Sequence, residues 1–205
     1  MNIKNHNRYS MSFTAGTLLQ KESLLLAEVY GNIRDWGGVL EYTIATNLLQ
    51  SRTSSTLKRQ TREVISRIKC LSQNELSLLS QSSSQDQANL LWIAICRRYK
   101  FIADFATEVL HERYVTLNPD LKPEHFDRFF NRKAEWHPEL EKLTDSTRQK
   151  LRQVLFKMMQ QAGLINAQGD IIPAWISPEF VKHVENPSEW MWFPVFEADI
   201  PKVRV

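Results

Sequence analysis

Gln85-Asp86-Gln87-Ala88-Asn89-Leu90-Leu91-Trp92-Ile93-Ala94-Ile95-Cys96-Arg97-Arg98-Tyr99 is the stretch on which the fold turns. From Leu90 to Cys96 it is apolar on nearly every side, with polar residues ahead of it and Arg97 and Arg98 behind. A helix without a polar face is a buried one, so this segment is predicted to lie at the centre, wrapped by other helices. The run stops far short of the ~20 apolar residues needed to cross a bilayer, which argues against a membrane span. Arg97, Arg98 and Lys100 stand where cations complement the negative end of a helix dipole. Ser82-Ser83-Ser84 reads as the loop that supplies the N-cap.

Helical periodicity continues on both sides. Thr17 to Tyr30 places Leu18, Leu25, Leu26 and Val29 on one face, with Gly31 as the residue after its end. Arg34 to about Leu48 carries Trp36, Leu40 and Ile44, although Gly37-Gly38 weakens its start. Ser54 to Leu71 has an apolar stripe of Leu57, Thr61, Val64, Ile65, Ile68 and Leu71, capped by Ser54, Ser55 or Thr56. A short helix is expected around Glu75 to Leu79 and another from Phe101 to Tyr114, after which Pro119 and Pro123 mark a turn and a new helix start.

Beyond that turn, Pro123 to Ala134 presents Phe126, Phe129 and Phe130, a short segment follows near Glu139 to Leu143, and a long helix runs from Asp145 to Ala162 until Gly163 stops it. Leu164-Ile165 and Ile171-Ile172 then flank a turn-forming loop, Asn166 to Asp170, that could join two short strands. Helix, helix, long helix, hairpin is the order of a winged helix-turn-helix. The expected class is mainly α: a compact multi-helix bundle with helix-turn-helix elements, the C-terminal one winged by a short β-hairpin. Residues 1–118 would form an N-terminal helical subdomain with the first helix-turn-helix. Residues 119–205 would form a winged-helix-like subdomain with an aromatic tail, the two packed as one unit. The tail aromatics Trp190, Trp192, Phe193 and Phe196 should fold back on the body, because so much exposed aromatic surface is a liability.

Composition supports folding but leaves function open. Apolar residues make up 42% and charged residues 24%, and only six glycines occur in 205 residues, which leans toward helices. Cys70 and Cys96, the only two cysteines, lie within apolar helical patterns with no signal peptide ahead of them, which fits a reducing cytoplasm. The formal net charge of +3 is too weak to imply nucleic-acid binding, so distribution decides.

That distribution is uneven. From Ser51 to Lys69 the basic residues Arg52, Lys58, Arg59, Arg62, Arg67 and Lys69 face one acid, Glu63, so this segment alone carries 6 − 1 = +5. Lys58 and Arg62 are four residues apart and Arg59 adjoins them, opposite the apolar stripe. A face built only for solubility usually interleaves glutamates for i, i+4 support, and here they are missing. With Ser54 and Thr56 at the helix start, the expected ligand is phosphate, held by side chains and free backbone amides. A second cluster, Thr147, Arg148, Lys150 and Arg152, occupies the first turns of the long helix, the position from which a recognition helix reaches phosphates or guanine edges.

Catalytic machinery is not apparent. There is no glycine-rich phosphate loop and no cysteine pair at metal spacing, and His6, His111, His125, His137 and His183 are scattered. Glu124 with Asp127, and Glu139 with Glu141, read as acidic first turns of helices. No cofactor, metal or small-molecule substrate is expected.

Several short motifs resemble a known family. Tyr9-Ser10-Met11-Ser12-Phe13-Thr14-Ala15-Gly16, Leu18-Leu19 and Glu22-Ser23 are similar to the opening of the BrxA family, the A component of BREX (bacteriophage exclusion) systems. Asn47-Leu48-Leu49 followed by Arg52, Arg97-Arg98-Tyr99, Ser146-Thr147-Arg148 and Ala162-Gly163-Leu164-Ile165 continue the resemblance over roughly residues 9–180. Gly37-Gly38 departs from it, and the tail after Asn186 lies outside it. The resemblance implies a small helical phage-defence protein with helix-turn-helix elements and a broad basic surface that acts on DNA beside methyltransferase, phosphatase-like and ATPase components, and the missing catalytic motifs imply a non-enzymatic role. Duplex DNA and other BREX components are the expected partners. An RNA-binding helical module of the antitermination-factor type and a protein-only scaffold using the tail aromatics remain alternatives.

Overall fold

A computed structural model describes residues 8–202. Eleven α-helical segments account for most of this span: α1 Gln20–Ile33, α2 Trp36–Thr46, α3 Ser54–Ile68, α4 Gln73–Gln81, α5 Ser84–Arg98, α6 Lys100–Phe105, α7 Glu112–Val115, α8 Pro123–Ala134, α9 Pro138–Glu141, α10 Asp145–Gln161 and α11 Pro178–His183. A π-helical stretch, Ala106–His111, joins α6 to α7 without a break. Short 3₁₀ segments occur at Phe13–Ala15, Pro187–Trp192 and Glu197–Asp199.

The segment quoted first is the central helix. All seven residues from Leu90 to Cys96 are buried in α5, which packs against α1, α3, α4, α6 and α10. A second focus forms around Phe101, whose ring meets Tyr9, Phe126, Phe129 and Phe130 edge-on and stacks near Phe13, with centroids 5.2 to 6.3 Å apart. Edge-to-face geometry is the favoured arrangement of aromatic quadrupoles. Apart from Leu57, the buried apolar residues form one continuous cluster from Tyr9 to Val195. Among the described residues, no helix is long and apolar enough to cross a membrane.

Helix ends follow local chemistry, with some departures from expectation. The cap of α3 is Thr53, not one of the three residues after it: its hydroxyl accepts from the Thr56 amide at 3.2 Å. Gly31 does not stop α1. The helix continues to Ile33 and ends where Arg34 turns left-handed at φ 58°, while Tyr30 stacks on Trp36 at 3.9 Å across the turn. Asp35 then caps α2 by accepting from the Gly38 amide at 2.6 Å, which tolerates the two glycines at its start. Ser72 and Glu75 form a reciprocal capping box on α4.

The expected β-hairpin wing is not formed. Gly163, at φ +74°, ends α10 as anticipated. Beyond it Ile165 and Ile171 make a single antiparallel bridge, and no named strand occurs among the described residues. The outer edge of this loop is occupied by the segment leading into α8: the Ile171 amide donates to the Pro119 carbonyl at 2.6 Å and the Leu121 amide to the Gly169 carbonyl at 2.7 Å. Gly169 sits at φ +91°, and a Cβ there would lie 2.6 Å from the Leu121 carbonyl oxygen. The turn is therefore strapped to the body and does not project.

The tail does fold back. Phe193 and Val195 are buried, the Trp92 indole donates to the Trp192 carbonyl at 2.8 Å, and Phe193 packs on Phe180. Arg97 locks this arrangement through paired contacts to Glu75 and to Glu189, at 2.6 and 2.8 Å.

Candidate nucleic-acid interface

The cap on α3 determines what its first turn offers. Thr53 satisfies the Thr56 amide through its hydroxyl and the Leu57 amide through its carbonyl, leaving the amides of Ser54 and Ser55 without an internal partner among the described residues. Leu57, Thr61, Val64, Ile65 and Ile68 face the core, so Lys58, Arg59 and Arg62 are turned to solvent. These three cations, with Ser54, Ser55 and Ser66, line an open groove of about 890 Å³. The Ser12–Ala15 turn and Arg98 of α5 also line it.

The charge of this groove is not neutralised from within. Glu63 faces it but is 8% exposed, and its carboxylate accepts from the Arg67 guanidinium at 2.7 Å and the Tyr99 hydroxyl at 2.6 Å. Arg67 is itself buried and donates to the Gly16 and Thr17 carbonyls, which fixes the turn that also lines the groove. The acid and one of the six basic residues of Ser51 to Lys69 thus cancel beneath the surface. Lys58, Arg59, Arg62 and Arg98 make no ion pair among the described residues.

The remaining sequence-predicted residues fall elsewhere. Arg52 is exposed in the turn before α3, and the Thr56 hydroxyl accepts from that of Thr53 at 2.9 Å; neither lines the groove. At the start of α10, Thr147 takes part in the Thr144 cap and Lys150 is exposed. Arg148 and Arg152 both turn onto one acid of α8, Asp127: Arg148 through Nε at 3.1 Å, and Arg152 through a closer contact. Arg148 also lies over the Phe130 ring at 4.6 Å. Two guanidiniums sharing one carboxylate leave about one net positive charge there, and no α10 side chain lines the α3 groove.

Groove-lining residues that the sequence did not single out include Ser12, Thr14, Ser66 and Arg98. The signal for Arg98 was present in Arg97-Arg98: consecutive helical residues point about 100° apart, so when one is drawn inside the other is turned out. Glu108 and His111 are spaced as helical metal ligands can be, but Glu108 is taken by Arg132 and Lys133, and His111 Nδ1 lies 2.7 Å from the Phe193 carbonyl. No cluster of three or more potential metal ligands occurs among the described residues.

What the fold and its surface define is a small multi-helix protein with an open cationic groove, uncompensated among the described residues. The chain belongs to the BrxA family, whose model matches residues 7–187. It is 25% identical over 164 residues to "BREX protein BrxA" of Escherichia coli O9:H4 (strain HS), covering 80% of this chain and 77% of that one. A protein of the same name from Paramagnetospirillum magneticum (strain ATCC 700264 / AMB-1) is 24% identical, covering 77% of this chain and 79% of the relative. The fold is also that of a crystal structure of an uncharacterized protein from Magnetospirillum magneticum, with TM-score 0.70 and 21% identity, covering 90% of this chain and 96% of that one.

Proposed function

We propose that this protein is a non-enzymatic, duplex-DNA-binding component of a BREX phage-defence system, working in the cytoplasm beside other BREX proteins. The observation that carries the proposal is the convergence of Lys58, Arg59 and Arg62, unpaired, on one groove at the start of a capped helix. Unpaired cations repel one another, and a polyanion relieves that repulsion while releasing its own counterions. Ser54 and Ser55 add hydroxyl and amide donors suited to phosphate oxygens. The packing of α1, α2 and α3 on one another supports a helix-turn-helix reading in which α3 is the contacting helix. Arg52 and Thr56 lie next to the groove as flanking contacts, and Thr147, Arg148, Lys150 and Arg152 form a second, weaker one.

The test is a duplex titration at several ionic strengths. Three phosphate contacts correspond to a log K that falls by about 2.7 per decade of salt. Joint reversal of Lys58, Arg59 and Arg62 to Glu should abolish the gel shift with the circular dichroism spectrum and melting temperature kept. Full affinity in that variant, or preference for structured RNA in competition at one salt concentration, would overturn the assignment.

A further inference from the structure

Arg97 and Arg98 are adjacent in sequence and opposite in circumstance. Arg97 spends its guanidinium inside the protein, on Glu75, Glu189 and the Cys70 carbonyl. Arg98 makes no ion pair among the described residues and lines the cationic groove. We infer that Arg98 is a phosphate-contacting residue, so that a nucleic-acid backbone is gripped between α3 and the end of α5 and does not lie on α3 alone. The inference rests on the nucleic-acid reading of the groove and extends it.

Three features of the site favour this role. The Arg98 guanidinium lies over the Tyr99 ring, 4.9 Å from its centroid. Tyr99 is fully buried and its hydroxyl is held by Glu63, so the platform under the guanidinium is fixed. A planar cation already oriented on an aromatic face loses little freedom when it meets a phosphate, and its two parallel N–H groups match a pair of phosphate oxygens. The acid among the groove's lining residues, Glu63, is already engaged by Arg67 and Tyr99 and cannot compete for it.

The turn that lines the groove with α3 is equally rigid. Phe13 is buried beneath the Ser12–Ala15 turn, and Arg67 holds the carbonyls that follow it. Arg67, Glu63 and Tyr99 thus link all three segments that line the groove, and the site is built before any ligand arrives. The ligand chemistry that fits is a phosphodiester strand, which presents successive single charges along a path.

The experiment compares the wild-type protein, Arg98→Ala, Arg98→Lys and the Lys58/Arg59/Arg62 reversal by fluorescence anisotropy with a labelled duplex over a range of salt. Removing one phosphate interaction should flatten the slope of log K against log salt by about 0.9 and weaken binding about eightfold at 0.1 M salt. Arg98→Ala should do both without lowering the melting temperature, and Arg98→Lys should keep the slope while recovering only part of the affinity. Unchanged slope and affinity in Arg98→Ala, with binding abolished in the triple reversal, overturns the inference and leaves the groove's function standing. A drop in melting temperature that accounts for the weakened binding overturns it too, by making the residue structural. Absence of duplex binding by the wild-type protein removes the parent reading, and this inference falls with it.

Discussion

At the residue scale, the buried acids are answered by cations or by hydroxyl donors, Asp86 by the hydroxyls of Ser83 and Ser177. Glu63 is met by Arg67 and Tyr99, and Glu75 and Glu189 are met by Arg97. Tyr99 gives this a measurable consequence. Burial, the hydrogen bond its hydroxyl donates to Glu63 and the charge of that carboxylate together push the phenol up to about 12 from the usual 10. The folded state therefore favours the protonated phenol, and the stability it lends is complete below pH 10 and lost as pH rises toward 12. Urea midpoints measured between pH 9 and about 12 should fall across this window, and the fall should be shallower in Tyr99→Phe. An identical pH profile in that variant would rule out Tyr99 as its source.

At the element scale, helix ends decide what the groove presents. Thr53→Ala removes a side-chain cap from α3 and should cost about 1 kcal/mol by thermal or urea denaturation. Duplex affinity should fall as well, because an uncapped first turn frays at Ser54 and Ser55, which line the groove and whose amides have no internal partner among the described residues. A variant destabilised with unchanged affinity would show that these amides make no contact. Helices were legible in the sequence because apolar spacing, serine and threonine caps and Pro123 are local signals. The wing was not. Asn166 to Asp170 specifies a reverse turn, but what pairs with the outer edge of that turn is settled by Pro119 to Leu121, some 45 residues upstream. Gly31 misleads for a related reason: glycine in a helix costs only about 1 kcal/mol, and the Tyr30–Trp36 stack and the Asp35 cap fix the turn after Ile33 instead.

At the scale of the whole molecule, the legibility of the site divides along the same line. The α3 strip could be read because its three groove cations and its apolar stripe lie on one helix. The α10 cluster read the same way, yet Asp127 of α8 takes up Arg148 and Arg152, a pairing no local pattern announces. Arg97 is a long-range tie that joins the end of α5 to the start of α4 and to the tail. Glu75 is fully buried and Glu189 nearly so, so Arg97→Ala would strand two carboxylates in the interior. Removing one partner of a buried pair costs about 3–5 kcal/mol, and here the tail should loosen before the body unfolds. The expected signs are a lowered melting temperature, tryptophan emission shifted to the red as Trp190 and Trp192 meet water, and early protease cuts confined to the stretch after His183. Lys58, Arg59 and Arg62 share no partner with Arg97, although Arg98 of the same groove adjoins it in sequence; if the end of α5 keeps its course when the tail is released, duplex affinity measured below the melting transition should stay within a factor of about two of wild type. Loss of affinity in parallel with tail release would instead show that the tail and the groove are coupled through α5.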